Sequence, residues 1–449
     1  MRFGENEQAG NWMRALVLAN AGRVSIAAVL TVMLVCISPA QAEFIETNEL
    51  YGFVAAGVSS GTVVSKDTRF SFNYAVRDNT SSASNTVTRL AKGHYRVDFP
   101  HLAQPTGVET QPDANGIVEI TGFNVLGSLN VRCKPSTWYV SSGDTLSVEV
   151  WCFKPSGVTW DSFFLVNYLK RWTDFIDPMQ DGAYVYVSNA TSALGTTYTV
   201  TDPHSWNSMQ QAITVTRVGT GEYDLYFVGQ RPGYPFTVPN GCSDAPPYSG
   251  GTVEVTAVGS GPEFCKVWQW GDTGTDTYVG VNCFDVNGNP ADSRFNVKYS
   301  NSYPIGSPNS GFGWVDGVNT AVGGSSNADP SFSAELTAIS DGNSCGHYEF
   351  TGVTQTEPVL SHGGTGMYGV RFPQMGGTPH STADNNPSSG PASAMFTSYG
   401  DGADYCNFAG WSYSVSSGMT LFTQCFGANG ALKDVLFDVS YAYEGWRVQ

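Results

Sequence analysis

Apolar residues recur two positions apart along most of the chain beyond residue 43. "RFSFNYA" (Arg69 to Ala75), "HYRVDF" (His94 to Phe99), "TLSVEVWCF" (Thr145 to Phe153) and "FFLVNY" (Phe163 to Tyr168) all show it. This alternation is the period of a half-buried β-strand. Clusters of Gly, Ser, Asn and Asp separate the runs, as turns require. The pattern predicts an all-β chain of antiparallel sandwiches, Ig-like or open-barrel, with little helix and about seven or eight strands per unit. "LVNYLKRWTDFID" (Leu165 to Asp177) also fits a helical period, but the repeat register makes its first part a terminal strand.

The strand pattern occurs three times. The segments Cys133 to Tyr168, Cys265 to Tyr299 and Cys406 to Tyr441 each carry a tryptophan five residues after the first cysteine: Trp138, Trp270 and Trp411. The second cysteine follows the first by 19, 18 and 19 residues. Counted from that second cysteine, phenylalanine stands at +1 (Phe153, Phe284, Phe426) and glycine at +5 (Gly157, Gly288, Gly430). Aspartate stands at +9 (Asp161, Asp292, Asp434), then Phe, Val and Tyr at +12, +14 and +16. Upstream, "TVTRLAKGHYRVDF" from Thr86 matches "TVTRVGTGEYDLYF" from Thr214, with "GMYGVRF" from Gly366 as the third copy. The chain therefore reads as a leader over 1–42 and three β-repeat units over 43–175, 176–305 and 306–449. Each unit has ordinary domain size, too long for a solenoid coil, and is expected to bury its own core in a serial array.

The leader changes the compartment. Arg14 and Arg23 lead into a short apolar run from Ile26 to Ile37, and Ala40-Gln41-Ala42 is the small-x-small pattern of a cleavage site. The run is too short to read first as a membrane span, and no later stretch approaches ~20 apolar residues. The expected protein is secreted or cell-surface, cleaved near Ala42, with no membrane span in the mature chain. The full chain's net charge of −17 repels phosphate backbones and argues against nucleic acid as a partner.

Export decides how the cysteines are read. Eight lie beyond the leader: Cys133, Cys152, Cys242, Cys265, Cys283, Cys345, Cys406 and Cys425. An even number in an exported chain reads as disulfides, and the absence of any C-x-x-C argues against zinc knuckles. A glycine near the middle of each Cys-to-Cys segment (Gly143, Gly274, Gly418) marks a hairpin turn that sets the two cysteines opposite each other. The expected bonds are Cys133–Cys152, Cys265–Cys283 and Cys406–Cys425, each worth about 3 kcal/mol on the chain-entropy view. Cys242 and Cys345 stand outside the repeat, and a bond between them would staple neighbouring units.

The remaining repeated positions read as scaffold. Strand alternation sets the tryptophan on the face opposite its cysteine, together with the +1 phenylalanine. A sugar-stacking platform would use the same residue types, but recurrence in every copy favours core. The +9 aspartate reads as a cap on the turn between the last two strands. "DVNGNPAD" (Asp285 to Asp292) invites calcium, yet Pro290 and Asn296 stand where an EF-hand loop needs glycine and glutamate. No cofactor is expected, with calcium elsewhere left open. "GNSCG" around Ser344 matches the G-x-S-x-G string without its strand-to-helix context. The six histidines show no H-E-x-x-H.

The block C-x4-W…C-F-x3-G-x3-D-x2-F-x-V-x-Y resembles tandem repeats of uncharacterised exported bacterial proteins. That resemblance covers nearly all of the mature chain and implies no activity. The third unit departs from it, with His362 where the others have Arg89 and Arg217. The expectation is a non-enzymatic extracellular binding or surface-structural protein with an extracellular partner, a glycan or a cell surface. The alternative is an extracellular hydrolase with its site in the insertions of the second or third unit, since loops carry function on rigid scaffolds.

Overall fold

The computed structural model describes residues 49–57, 61–62, 64–73, 75, 85–105, 111–123, 130–171, 182–230, 251–300, 311–317, 325–327, 333–337, 358–373, 392–414 and 418–443. The leader, Cys242, Ser344 and Cys345 lie outside the described residues. Every regular element among those described is a β-strand.

The first repeat supplies β1 (Glu49–Ala56), β2 (Lys66–Asn73), β3 (Thr86–Ala91), β4 (His94–Phe99), β5 (Ile117–Phe123), β6 (Arg132–Ser142), β7 (Thr145–Phe153) and β8 (Phe163–Arg171). They form two facing sheets, β2-β1-β8-β5 and β3-β4-β7-β6. The second repeat supplies β9 (Gly182–Val187), β10 (Thr197–Thr199), β11 (Trp206–Asn207), β12 (Ile213–Gly219) and β13 (Glu222–Val228). It continues with β14 (Thr252–Val258), β15 (Phe264–Asp272), β16 (Asp276–Phe284) and β17 (Arg294–Ser300). Its sheets are β11-β9-β17-β14 and β10-β12-β13-β16-β15. The third supplies β18 (Gly311–Gly317), β19 (Ser325–Asn327), β20 (Ser333–Thr337), β21 (Val359–Gly364), β22 (Met367–Phe372) and β23 (Ala392–Tyr399). It ends in β24 (Asp404–Ser414), β25 (Gly418–Gly427) and β26 (Leu436–Tyr443), in sheets β20-β18-β26-β23 and β19-β21-β22-β25-β24.

Each sandwich has its own core, as alternation requires. The Phe/Val/Tyr trio of the last strand fills it in every copy: Phe164, Val166 and Tyr168; Phe295, Val297 and Tyr299; Phe437, Val439 and Tyr441, all at most 1% exposed. Each such side chain contributes about 1.5–3 kcal/mol by leaving water. The three expected disulfides are present, with Cα atoms 4.0 Å apart across directly paired strand positions. The +5 glycines adopt φ of 79°, 82° and 79°, a left-handed turn conformation that only glycine takes without cost.

Two positions depart from simple alternation. A β-bulge follows each first cysteine, between Pro135 and Thr137, Val267 and Gln269, and Phe408 and Gly410. The extra residue resets the period of two. Trp138, Trp270 and Trp411 therefore join the core on the same side as the cysteines, and not with the +1 phenylalanine as alternation alone predicts. Phe284 and Phe426 sit in a separate cluster with Phe264 and Tyr405.

The +9 aspartate is not a local turn cap. Asp161 accepts hydrogen bonds from Arg89 Nε and Nη2 (both 2.9 Å), Gly93 N (2.8 Å) and Tyr95 Oη (3.0 Å). Asp292 repeats this with Arg217, Gly221 and Tyr223. Asp434 does so with His362, Gly366 and Tyr368. The aspartate thus clamps the connection before the last strand onto a hairpin about seventy residues upstream. The Arg-to-His change of the third unit keeps the clamp but supplies one bond to the aspartate where each arginine supplies two.

The units do not run in a serial array. Residues from Thr47 onward form one compact body, and the sandwiches join edge to edge. β5 runs parallel beside β24 at Phe123 and Phe408, and β23 beside β15 at Tyr399 and Val267. At the third seam Gly259 N donates to Pro135 O at 2.9 Å, just as Gly400 N donates to Val267 O at 3.1 Å. Proline has no N–H to return, so this seam has the contact without the full bridge. First joins third, third joins second, second joins first: the chain closes into a ring with pseudo-threefold symmetry.

Candidate functional site

The symmetry organises the polar groups buried where the three sandwiches meet. Thr121, Thr256 and Thr397 are equivalent positions. Thr256 Oγ1 accepts from Ile120 N (3.4 Å), Thr121 Oγ1 from Phe396 N (3.2 Å) and Thr397 Oγ1 from Val255 N (3.2 Å), each across a seam. A second cycle lies outside it. The residue after each first cysteine reaches the residue two before the next: Lys134 to Glu263, Lys266 to Asp404 and Asn407 to the carbonyl of Val131. Burial lowers the Lys134 ammonium to a pKa of about 8, against the pull of Glu263.

One part of the centre breaks the symmetry. Glu119, Glu254 and Met395 are equivalents, as are Asn167, Lys298 and Ser440. Lys298 Nζ lies 2.9 Å from Glu119 and 2.7 Å from Glu254, and Ser440 Oγ donates to Glu254. All three ionisable groups are buried. Burial and repulsion by Glu254 push Glu119 well above the ordinary carboxylate range. Burial opposes charge on Glu254 too, but Lys298 and hydrogen bonds from Glu119 and Ser440 hold it below. Two carboxyl groups facing one ammonium favour a proton kept on Glu119 and the charge on Glu254, opposite Lys298. The cluster stitches all three repeats at zero net charge, and its closure to solvent makes it scaffold.

An open site lies at the seam of the first and third sandwiches. It is a groove of about 1020 Å³. The first sandwich contributes Phe123, Phe163 and the small residues Ala55 to Gly57; the third contributes Trp411, Phe422 and Met367. Phe422 and Met367 are 41% and 39% exposed, so the groove presents large apolar side chains to solvent. Trp411 packs on Phe70 across the seam at 5.9 Å, which fixes one wall. Lys66, Ser361 and Gln424 supply polar groups along the rim. Lys66 Nζ donates to the carbonyl of Asn85 at 2.9 Å, and burial lowers its pKa.

The sequence explains why this seam is open. The bulge carries Ala409-Gly410 here, where the second unit has the bulkier Trp268-Gln269 and the first Ser136-Thr137. In the second sandwich Trp268 lies against Gly280, where a Cβ would lie 1.9 Å from the indole Nε1, whereas the third has Ala409 at the bulge and Phe422 at the position of Gly280, and both line the groove. Sequence reasoning missed the groove because its two walls are some three hundred residues apart. The available signal was the non-repeated bulge residue.

The six repeat cysteines are consumed in disulfides. Asp285 of the calcium-like turn accepts from the backbone of Asn287 and Asn289 and from the Asn289 amide, a self-contained turn. No group of three or more His, Cys, Asp or Glu suited to a metal occurs among the described residues. No described helix is long and apolar enough to cross a membrane. No protein family, curated protein or solved structure matches the chain.

Proposed function

We propose that this is an exported, non-enzymatic extracellular binding or surface-structural protein whose binding face is the groove between the first and third sandwiches. The observation that carries this reading is the groove itself. It pairs exposed aromatic surface with amide, hydroxyl and ammonium groups, on a frame held by three disulfides. Aromatic faces beside polar groups suit a glycan, whose rings have apolar faces and hydroxyl edges, and a glycan or glycan-bearing cell surface is the partner proposed. Disulfides of this number fit an oxidising compartment, and the resemblance to exported bacterial repeats supports the same address. A glycan array run beside a broad hydrolase screen tests the proposal. Binding lost in W411A and F422A, with no product released, is the expected result. Product release that survives both substitutions would favour the hydrolase alternative, with its site in the second- or third-unit insertions.

A further inference from the structure

The ring axis holds a second, smaller space. A cavity of about 70 Å³ is walled by equivalent residues of all three repeats, among them the threonine ring and the disulfides. The charged residues in its wall are Arg132, Lys134 and Glu263. Lys134 and Glu263 pair with each other at 3.3 Å. Arg132 is left over. It is 7% exposed, and none of its three guanidinium nitrogens reaches a protein hydrogen-bond acceptor. Its positional equivalents are Phe264 and Tyr405, and their rings lie 4.1 and 5.0 Å from the guanidinium carbon. Those aromatic faces offset part of the cost of burying the charge. They cannot accept hydrogen bonds along the guanidinium edge, where five N–H groups need partners.

An arginine stays protonated even when buried, so the cavity carries one uncompensated positive charge. Unpaired buried charge is costly, and an anion is the simplest way to relieve it. We propose that the axial cavity binds one small monovalent anion of halide size through Arg132. The guanidinium N–H groups donate to it, and the anion joins the three seams at their common centre. The volume admits a halide with one or two waters and suits a single charge better than a bulky dianion. Ligand binding to the folded state alone then makes stability depend on the anion's concentration.

The probes are chloride and bromide against gluconate at matched ionic strength. In wild-type protein the melting temperature should rise with halide and not with gluconate. Crystals grown in bromide should show an anomalous peak beside Arg132. R132M keeps side-chain length and apolar packing on Phe264 and Tyr405, and it should abolish both signals; R132K, which keeps the charge, should retain part of the halide response. Wild-type protein with the same melting temperature in halide and gluconate, and no bromide at the axis, would overturn the proposal whether or not the variants fold.

Discussion

The most informative perturbation is Lys298→Met. In the native ring Lys298 is the counter-ion of Glu254, while Glu119 is held neutral. Methionine keeps the volume of the stem and removes the charge. Glu254 then has no cation to offset its burial, and desolvation favours its neutral form. Folding with Glu254 protonated at pH 7 works against an unfolded chain in which it ionises at an ordinary value of about 4.3. At 1.36 kcal/mol per unit, that mismatch costs about 4 kcal/mol at pH 7 and about 1 kcal/mol at pH 5. The sign follows from linkage: a group whose folded pKa is raised gives full stability below its unfolded pKa and loses it as pH rises. Urea denaturation followed by tryptophan fluorescence, variant minus wild type at both pH values, reads the difference. The double variant K298M/E254Q should lose the pH dependence. A loss below about 1 kcal/mol at pH 7, or an equal loss at pH 5, would refute the assignment of charges in the cluster.

Three further outcomes follow from the repeats. Asp161, Asp292 and Asp434 are all held below the ordinary carboxylate range: burial works against each, but hydrogen bonds from Arg89, Arg217 and, on Asp434, Gly366 and His362 outweigh it. Their contribution is present above the unfolded carboxylate pKa and is lost as pH falls through the folded values, so acid titration of D161N/D292N/D434N should give a flatter stability curve below about pH 4 than wild type. Among the single variants D292N should lower the melting temperature more than D434N, because Arg217 makes two side-chain bonds to Asp292 and His362 only one to Asp434. C406S/C425S should cost about 3 kcal/mol in chemical denaturation and leave the other two disulfides intact by peptide mapping without reduction.

The repeated block made much of each sandwich legible. Cysteine spacing with a central glycine gave the three hairpin disulfides, because strand pairing is local and its register is set by the turn. The Phe/Val/Tyr trio gave the core of the last strand for the same reason. The tryptophan face went wrong through one bulge residue, since a single insertion inverts every later side chain and leaves no mark in composition. The clamp was half visible. Arginine or histidine upstream and aspartate downstream recur together, but their partnership spans about seventy residues and needs the sandwich to close before it can be seen.

The sequence by itself determined the all-β character, the three-fold repetition, the staples and the cores, all of which arise from periodicity and contacts within one unit. The tertiary structure alone decided that the units close on themselves. Ring closure depends on strand edges meeting across segments more than a hundred residues apart, and nothing local encodes that meeting. It also decided what the departures from the repeat are for. Glu119, Glu254 and Met395, or Arg132, Phe264 and Tyr405, look like drift when the copies are aligned. Gathered on one axis they become a neutral ion cluster and a buried cation, because three unlike side chains then share one environment and must balance each other's charge.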